Sequence, residues 1–154
     1  MMKGLTRIIM ILCLFGESCT GKTSLLNLLK KQRDLSSYNG KDYLKLAKTE
    51  SEARIRFQEI LNNTSENELV VYVTTEKEDL QLLPKNTIRV YVTASLEVIK
   101  ERFSMRMHGN LPKPVEMMLE KKHGTFDQMA YNVRLSSMDL NQNLEILLNL
   151  IDTK

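Results

Sequence analysis

Short runs of continuous apolar residues alternate along the chain with longer stretches of helical apolar spacing. Ile8 to Phe15 (Ile-Ile-Met-Ile-Leu-Cys-Leu-Phe) is apolar throughout, which predicts a central strand buried on both faces. Lys22 to Lys31 gathers Leu25, Leu26, Leu28 and Leu29 on one side and predicts a helix. Asp34 to Asp42 is polar, with Ser36, Ser37, Asn39 and Gly40, and reads as a loop with room for one short edge strand. Thr49-Glu50-Ser51-Glu52 has the form of a capping box. A helix is therefore expected from about Glu50 to Leu61, with Ala53, Phe57, Ile60 and Leu61 inward, and a turn over Asn62 to Asn67.

Leu69 to Thr74 is rich in β-branched and aromatic residues and predicts a second buried strand. A short helix is expected around Lys77 to Leu83, ending at Pro84, and a third strand over Thr87 to Thr93. Ser95 can cap a helix from Leu96 to about Met107, which His108-Gly109-Asn110 breaks. Pro112 or Pro114 can open another helix that ends near His123-Gly124. Tyr131 to Leu135 is a candidate for a short last strand. Asp139 can cap a final helix with Leu140, Leu144, Leu147, Leu148 and Ile151 as its apolar positions. The alternation, with connections too long for hairpins, predicts a three-layer α/β/α fold with a mostly parallel sheet. No repeat or linker divides the 154 residues, so one domain, 1–154, is expected.

Composition changes this picture little. With 42% hydrophobic residues the chain can bury a core, which excludes disorder. The net charge of +3 is too small to mark a nucleic-acid surface, so no nucleic-acid partner is expected. No apolar stretch approaches the roughly 20 residues of a membrane span, so no membrane partner is expected. Lys3 and Arg7 ahead of Ile8 to Phe15 imitate a short signal peptide. The run leads instead into a Gly-rich loop without an A-x-A-like cleavage site, which favours the strand. A disulfide between Cys13 and Cys19 would disrupt both strand and loop, so both are expected as free thiols, as in the cytoplasm. His108 and His123 do not supply a zinc-site spacing. A monomer or weak dimer is expected.

The chemistry enters at Gly16-Glu17-Ser18-Cys19-Thr20-Gly21-Lys22-Thr23, which fits the phosphate-loop pattern G-x-x-x-x-G-K-[ST] between a strand and a helix. Gly16 and Gly21 let backbone N–H groups turn toward phosphates. The helix start near Lys22 offers free N–H groups and a partial positive charge. Lys22 supplies a cation for the terminal phosphates and Thr23 a hydroxyl for magnesium, with Ser24 as a second hydroxyl toward the α-phosphate. The nucleotide-binding residues are thus Gly16 to Ser24, among which Glu17 is expected to have a solvent-exposed side chain.

With this loop the chain resembles the small P-loop kinases, which include nucleoside monophosphate, cytidylate and shikimate kinases. Two further stretches carry the resemblance. Val90 to Arg106 is similar to the family's fourth strand, polar turn and arginine-bearing helix, and Tyr131-Asn132-Val133-Arg134-Leu135-Ser136-Ser137 to its short final strand. The resemblance implies about five strands in the order 2-3-1-4-5, ATP and Mg2+ as ligands, and a lid over 107–125. It also implies that Arg102 and Arg106, four apart and so on one helix face, stack on the base or grip phosphate. The segment Met107 to Thr125 contains Lys113, Lys121, Lys122, His108 and His123 but no arginine.

Phosphoryl transfer usually needs a carboxylate near the metal or nucleophile. The strand Leu69 to Val73 leads into Thr74-Thr75, and the nearest acid is Glu76. In shikimate-kinase-like relatives the Asp follows the second strand, which implies Asp42 as catalytic, metal-binding and acceptor-binding residue; Glu76 is its rival. Asp42 can alternatively cap a helix before Tyr43. Arg54 and Arg56 lie on the helix that would cover the acceptor and point in different directions, so at most one faces it; Arg54 is the candidate.

The leading expectation is an ATP-dependent small-molecule kinase, a phosphotransferase acting on a nucleoside, nucleotide or small metabolite. The alternative is a nucleotide-binding protein without transfer. A regulatory GTPase fits less well. Asn39-Gly40-Lys41-Asp42 has the wrong order for a guanine-reading motif, and no Asp-x-x-Gly switch occurs.

Overall fold

The computed structural model describes residues 10–62, 69–136 and 138–153. Lys3, Arg7, Ile8 and Ile9, the predicted turn residues 63–67, and Ser137 lie outside them. The apolar run forms β1 (Met10–Phe15), and the polar segment yields β2 (Ser36–Asn39), the expected edge strand. β3 (Leu69–Thr74), β4 (Ile88–Val92) and β5 (Val133–Leu135) complete the sheet. All four pairings are parallel, and the order is β2-β3-β1-β4-β5. β1 sits between β3 and β4, with Phe15 opposite Thr74 on one side and Tyr91 on the other.

Side chains alternate across a strand, and both faces of β1 are covered, which is why its sequence has no polar position. Met10, Leu12 and Leu14 pack with Leu25 and Leu29 of α1 (Lys22–Gln32) and Leu144 and Leu147 of the C-terminal helix Leu140–Asp152. Ile11, Cys13 and Phe15 face the opposite layer, where α2 (Glu50–Asn62) contributes Ala53, Phe57 and Leu61. Its Thr49 hydroxyl accepts the Glu52 N–H at 3.2 Å, as the capping box predicts. α3 (Leu96–Arg106) begins at Ser95, whose hydroxyl accepts from the Val98 N–H. His108 and Gly109 take positive φ and end it. Pro112 then caps α4 (Lys113–Lys122), and Asp139 caps the last helix, α5, through the Asn141 N–H.

Two 3-10 helices connect these elements, Gly40–Leu46 after β2 and Lys77–Leu82 after β3. The second matches the short helix expected before Pro84; the first lies largely beyond the predicted loop. Both follow the carboxyl ends of parallel strands, where ligands bind in open α/β sheets.

Candidate active site

The loop Gly16 to Thr23 joins β1 to α1. At Gly16 a Cβ would stand 2.2 Å from the Val92 carbonyl oxygen, so only glycine lets the loop turn this close to β4. Gly21 caps α1 with φ +100°. Between them Cys19 takes φ 64°, an uncommon left-handed conformation for a side-chain-bearing residue. Its side chain is buried against Ile99 and Leu119, which fastens the loop to α3 and α4. Arg102 adds a strut: its Nη1 donates to the Cys19 carbonyl at 3.0 Å. Both cysteines are free thiols.

Lys22 is 5% exposed and folds back over the loop. Its Nζ donates to the Gly16 carbonyl at 2.9 Å, to Thr20 Oγ1 at 3.2 Å and, at very short range, to the Glu17 carbonyl. Burial pushes its pKa down to about 8; Cys19 and Glu17 oppose the shift, and Arg106 adds to it. An anion arriving in the loop would oppose that depression by favouring the charged ammonium.

Glu17 corrects the expectation of a solvent-exposed loop residue. Its side chain is only 10% exposed. One carboxylate oxygen meets His123 Nδ1 at 3.1 Å, and the other accepts the Gly124 N–H at 3.0 Å. The loop is thus tied to the end of α4, inside the segment expected as a lid.

A cleft of about 390 Å³ opens beside the loop. Lys22, Thr23 and Ser24 line it from one side, Asp42 and Thr74 from the other, and Arg106 closes it from α3. Asp42 lies inside the first turn of its 3-10 helix, whose cap position is Asn39, so it does not serve as the cap. Tyr72 Oη donates to the Gly40 carbonyl at 2.7 Å and holds this turn against β3. Asp42 and Thr23 therefore bring a carboxylate and a hydroxyl, both hard oxygen donors, to one cavity. Among the described residues no group of three or more His, Cys, Asp or Glu gathers into a metal cage.

Two smaller cavities flank the cleft. One, of about 320 Å³, shares Ser24 and Arg106 with it and runs between α3 and the start of α5, lined by Arg102, Met105 and Leu140. The other, of about 210 Å³, shares Ser18 and Thr75 with the cleft and is walled by Glu76, Met118, Lys122 and Phe126. Glu76 thus belongs to this side cavity, and its backbone N–H donates to Thr74 Oγ1.

The predicted arginines divide. Arg102 and Arg106 reach the site. Arg54 does not: it is paired with Glu50 at 3.7 Å on the exposed side of α2 and lines none of the three cavities. Arg56 donates instead to the Leu46 carbonyl. Sequence reasoning missed Lys41, Thr74 and Asp79. Asp79 is 1% exposed, bonds to both of the others, and stands five residues beyond the strand end at which an acid was sought. A wider search window after β3 would have included it.

No protein-family model matches the chain, and no curated protein does. Solved structures match along nearly all of it. A shikimate kinase from Bacteroides thetaiotaomicron superposes with a TM-score of 0.61 at 15% identity, covering 93% of this chain and 98% of its own. A gluconokinase from Sinorhizobium meliloti gives 0.59 at 15% identity, covering 97% and 99%. A sugar kinase from Janibacter gives 0.62 at 14% identity, covering 94% and 95%. In the described residues no helix is long and apolar enough to cross a membrane. With its five parallel strands in the order 2-3-1-4-5 and helices on both faces, the chain has the fold of the small P-loop kinases.

Proposed function

We propose that the protein is an ATP-dependent kinase of a small molecule. The observation that carries this reading is the convergence of Lys22, Thr23, Asp42 and Arg106 on one cleft, drawn from three separate parts of the chain. The triphosphate lies along Gly16 to Ser24, its oxygens taken by loop N–H groups and the start of α1. The nucleoside extends into the cavity between α3 and α5, where Arg102 and Arg106 offer guanidinium faces and Met105 and Leu140 apolar contact. The acceptor enters from the opposite cavity, across Ser18 and Thr75. Residues 107–125 form the flap over that entrance, and α4 supplies its wall.

Lys22 leaves the loop carbonyls it now holds and moves to the transferred phosphoryl group, where its charge stabilises the oxygens that gain charge in the transition state. Thr23 and Asp42 are the residues that would hold magnesium. Their oxygen set is small, as suits an ion that keeps waters and phosphate oxygens as its other ligands. When bound, magnesium neutralises charge between the terminal phosphates. The protein's contribution is otherwise alignment of donor and acceptor.

The test is magnesium-ATP turnover against a panel of nucleosides, nucleotides, sugars and hydroxy acids. Lys22→Ala should abolish transfer with the circular-dichroism spectrum unchanged; transfer by that variant would sink the assignment. One observation favours a second reading, nucleotide binding without transfer: β3 ends in Thr74 rather than an acid. Tight ATP binding with no turnover on any acceptor would select it.

A further inference from the structure

A buried carboxylate that the proposed reaction does not use lies behind the cleft wall. Asp79 is 1% exposed, in the 3-10 helix Lys77–Leu82. Its Oδ2 accepts from Thr74 Oγ1 at 2.7 Å, and its Oδ1 accepts from Lys41 Nζ at 2.5 Å. Both partners line the cleft. The Thr74 hydroxyl also accepts the Glu76 N–H at 3.0 Å. Its proton goes to Asp79 at 2.7 Å ahead of the Glu76 carbonyl, which stands at 3.5 Å, and one lone pair takes the Glu76 N–H, so toward a further neighbour it accepts.

Lys41 immediately precedes Asp42. The turn that carries both is pinned to β3 twice, through Gly40 to Tyr72 and through Lys41 to Asp79 to Thr74. Burying a charge is costly unless it is paired, and an apolar side chain of similar volume often serves packing as well. The arrangement makes sense if its use is to fix what stands in front of it.

We infer that Asp79 is a positioning residue of the site, which holds the Thr74 hydroxyl and the Asp42 turn against Thr23 and so stands in for the carboxylate absent from the end of β3. The inference rests on the magnesium-nucleotide reading of the cleft. Asp79 does not touch nucleotide; it acts through Thr74 and through Lys41.

ATP binding measured by titration calorimetry, with excess magnesium and again with the metal chelated, tests this when combined with thermal unfolding of each variant. Asp79→Asn should lose about 10-fold of the magnesium-dependent affinity, the usual cost of removing an outer-shell partner, with the loss confined to that part. Asp42→Asn should lose at least as much, and the double variant no more than the larger single loss, since both act through one element. Should Asp79→Asn fail to fold, Lys41→Gln carries the same expectation, because the Lys41 side chain is 42% exposed. Variants that unfold at lower temperature yet keep the wild-type dependence on magnesium would show that Asp79 only packs, and would overturn the inference alone. A wild-type chain whose ATP binding ignores magnesium would remove the reading of the cleft and the inference together.

Discussion

Lys22 is held in a state that favours loss of its proton. Its folded pKa, about 8, lies below the ordinary 10.5 because burial strips water from the ammonium. Between these values the unfolded chain binds more protons than the folded one, so stability rises with pH across that window. Below about 8 both states are charged and the full penalty is present; above 10.5 neither is. The ligand-free protein should therefore gain on the order of 3 kcal/mol from this group between pH 8 and 10.5. Denaturant melts across that range should give a more positive slope for the wild type than for Lys22→Met, and equal slopes in the two proteins would refute it. By the same linkage, Lys22 should take up a proton when ATP binds near pH 8.5, read as a buffer-dependent heat. At this scale the loop pattern alone made Lys22 and Thr23 legible. Glu17 was not: its position within the pattern tolerates any side chain, and only the fold brings His123 and Gly124 to it.

At the scale of elements, the loop and α4 behave as one unit. Cys19 buries its side chain against Leu119, and Glu17 grips the end of α4. If residues 107–125 close as the proposed flap, movement of the end of α4 away from the loop would break the Glu17 contacts. Hydrogen bonds to a charged group contribute about 1.5 kcal/mol or more. Glu17→Ala should thus speed hydrogen exchange at the Gly124 amide about tenfold. Unchanged exchange there would mean that the contact restrains nothing.

The long elements were readable because their signals are periodic or capped: the apolar run of β1, the capping box at Thr49, Ser95 before α3 and Asp139 before α5. The 3-10 helix Gly40–Leu46 was not, since such short helices carry no repeating apolar face. Its absence from the sequence reading is also why the partners of Lys41 went unseen.

The whole molecule places three cavities along the carboxyl ends of its strands, joined through Ser18 and Thr75 on one side and Ser24 and Arg106 on the other. A ligand that fills the central cleft touches α1, β3 and α3 at once and should stabilise them together. Magnesium-ATP at a hundredfold excess over its Kd should add about 2.7 kcal/mol to the unfolding free energy, visible as a raised midpoint. A midpoint that does not move would contradict nucleotide binding at the loop.

What the sequence by itself determined is whatever depends on neighbours along the chain. A buried strand, two glycines, a lysine and a hydroxyl before a helix make the pattern expected of an anion cradle, and the alternation of strands and helices predicts a parallel sheet. The tertiary structure decided which distant groups meet that cradle. Arg54 and Asp42 were both plausible from spacing, yet one helix turns its arginine to Glu50 while a 3-10 turn carries Asp42 into the cleft. Asp79 matters only because the 3-10 helix after β2 and the end of β3 both meet the helix that carries it. Such contacts follow from strand order and register, which are set by packing across the whole sheet and leave no local trace in the chain.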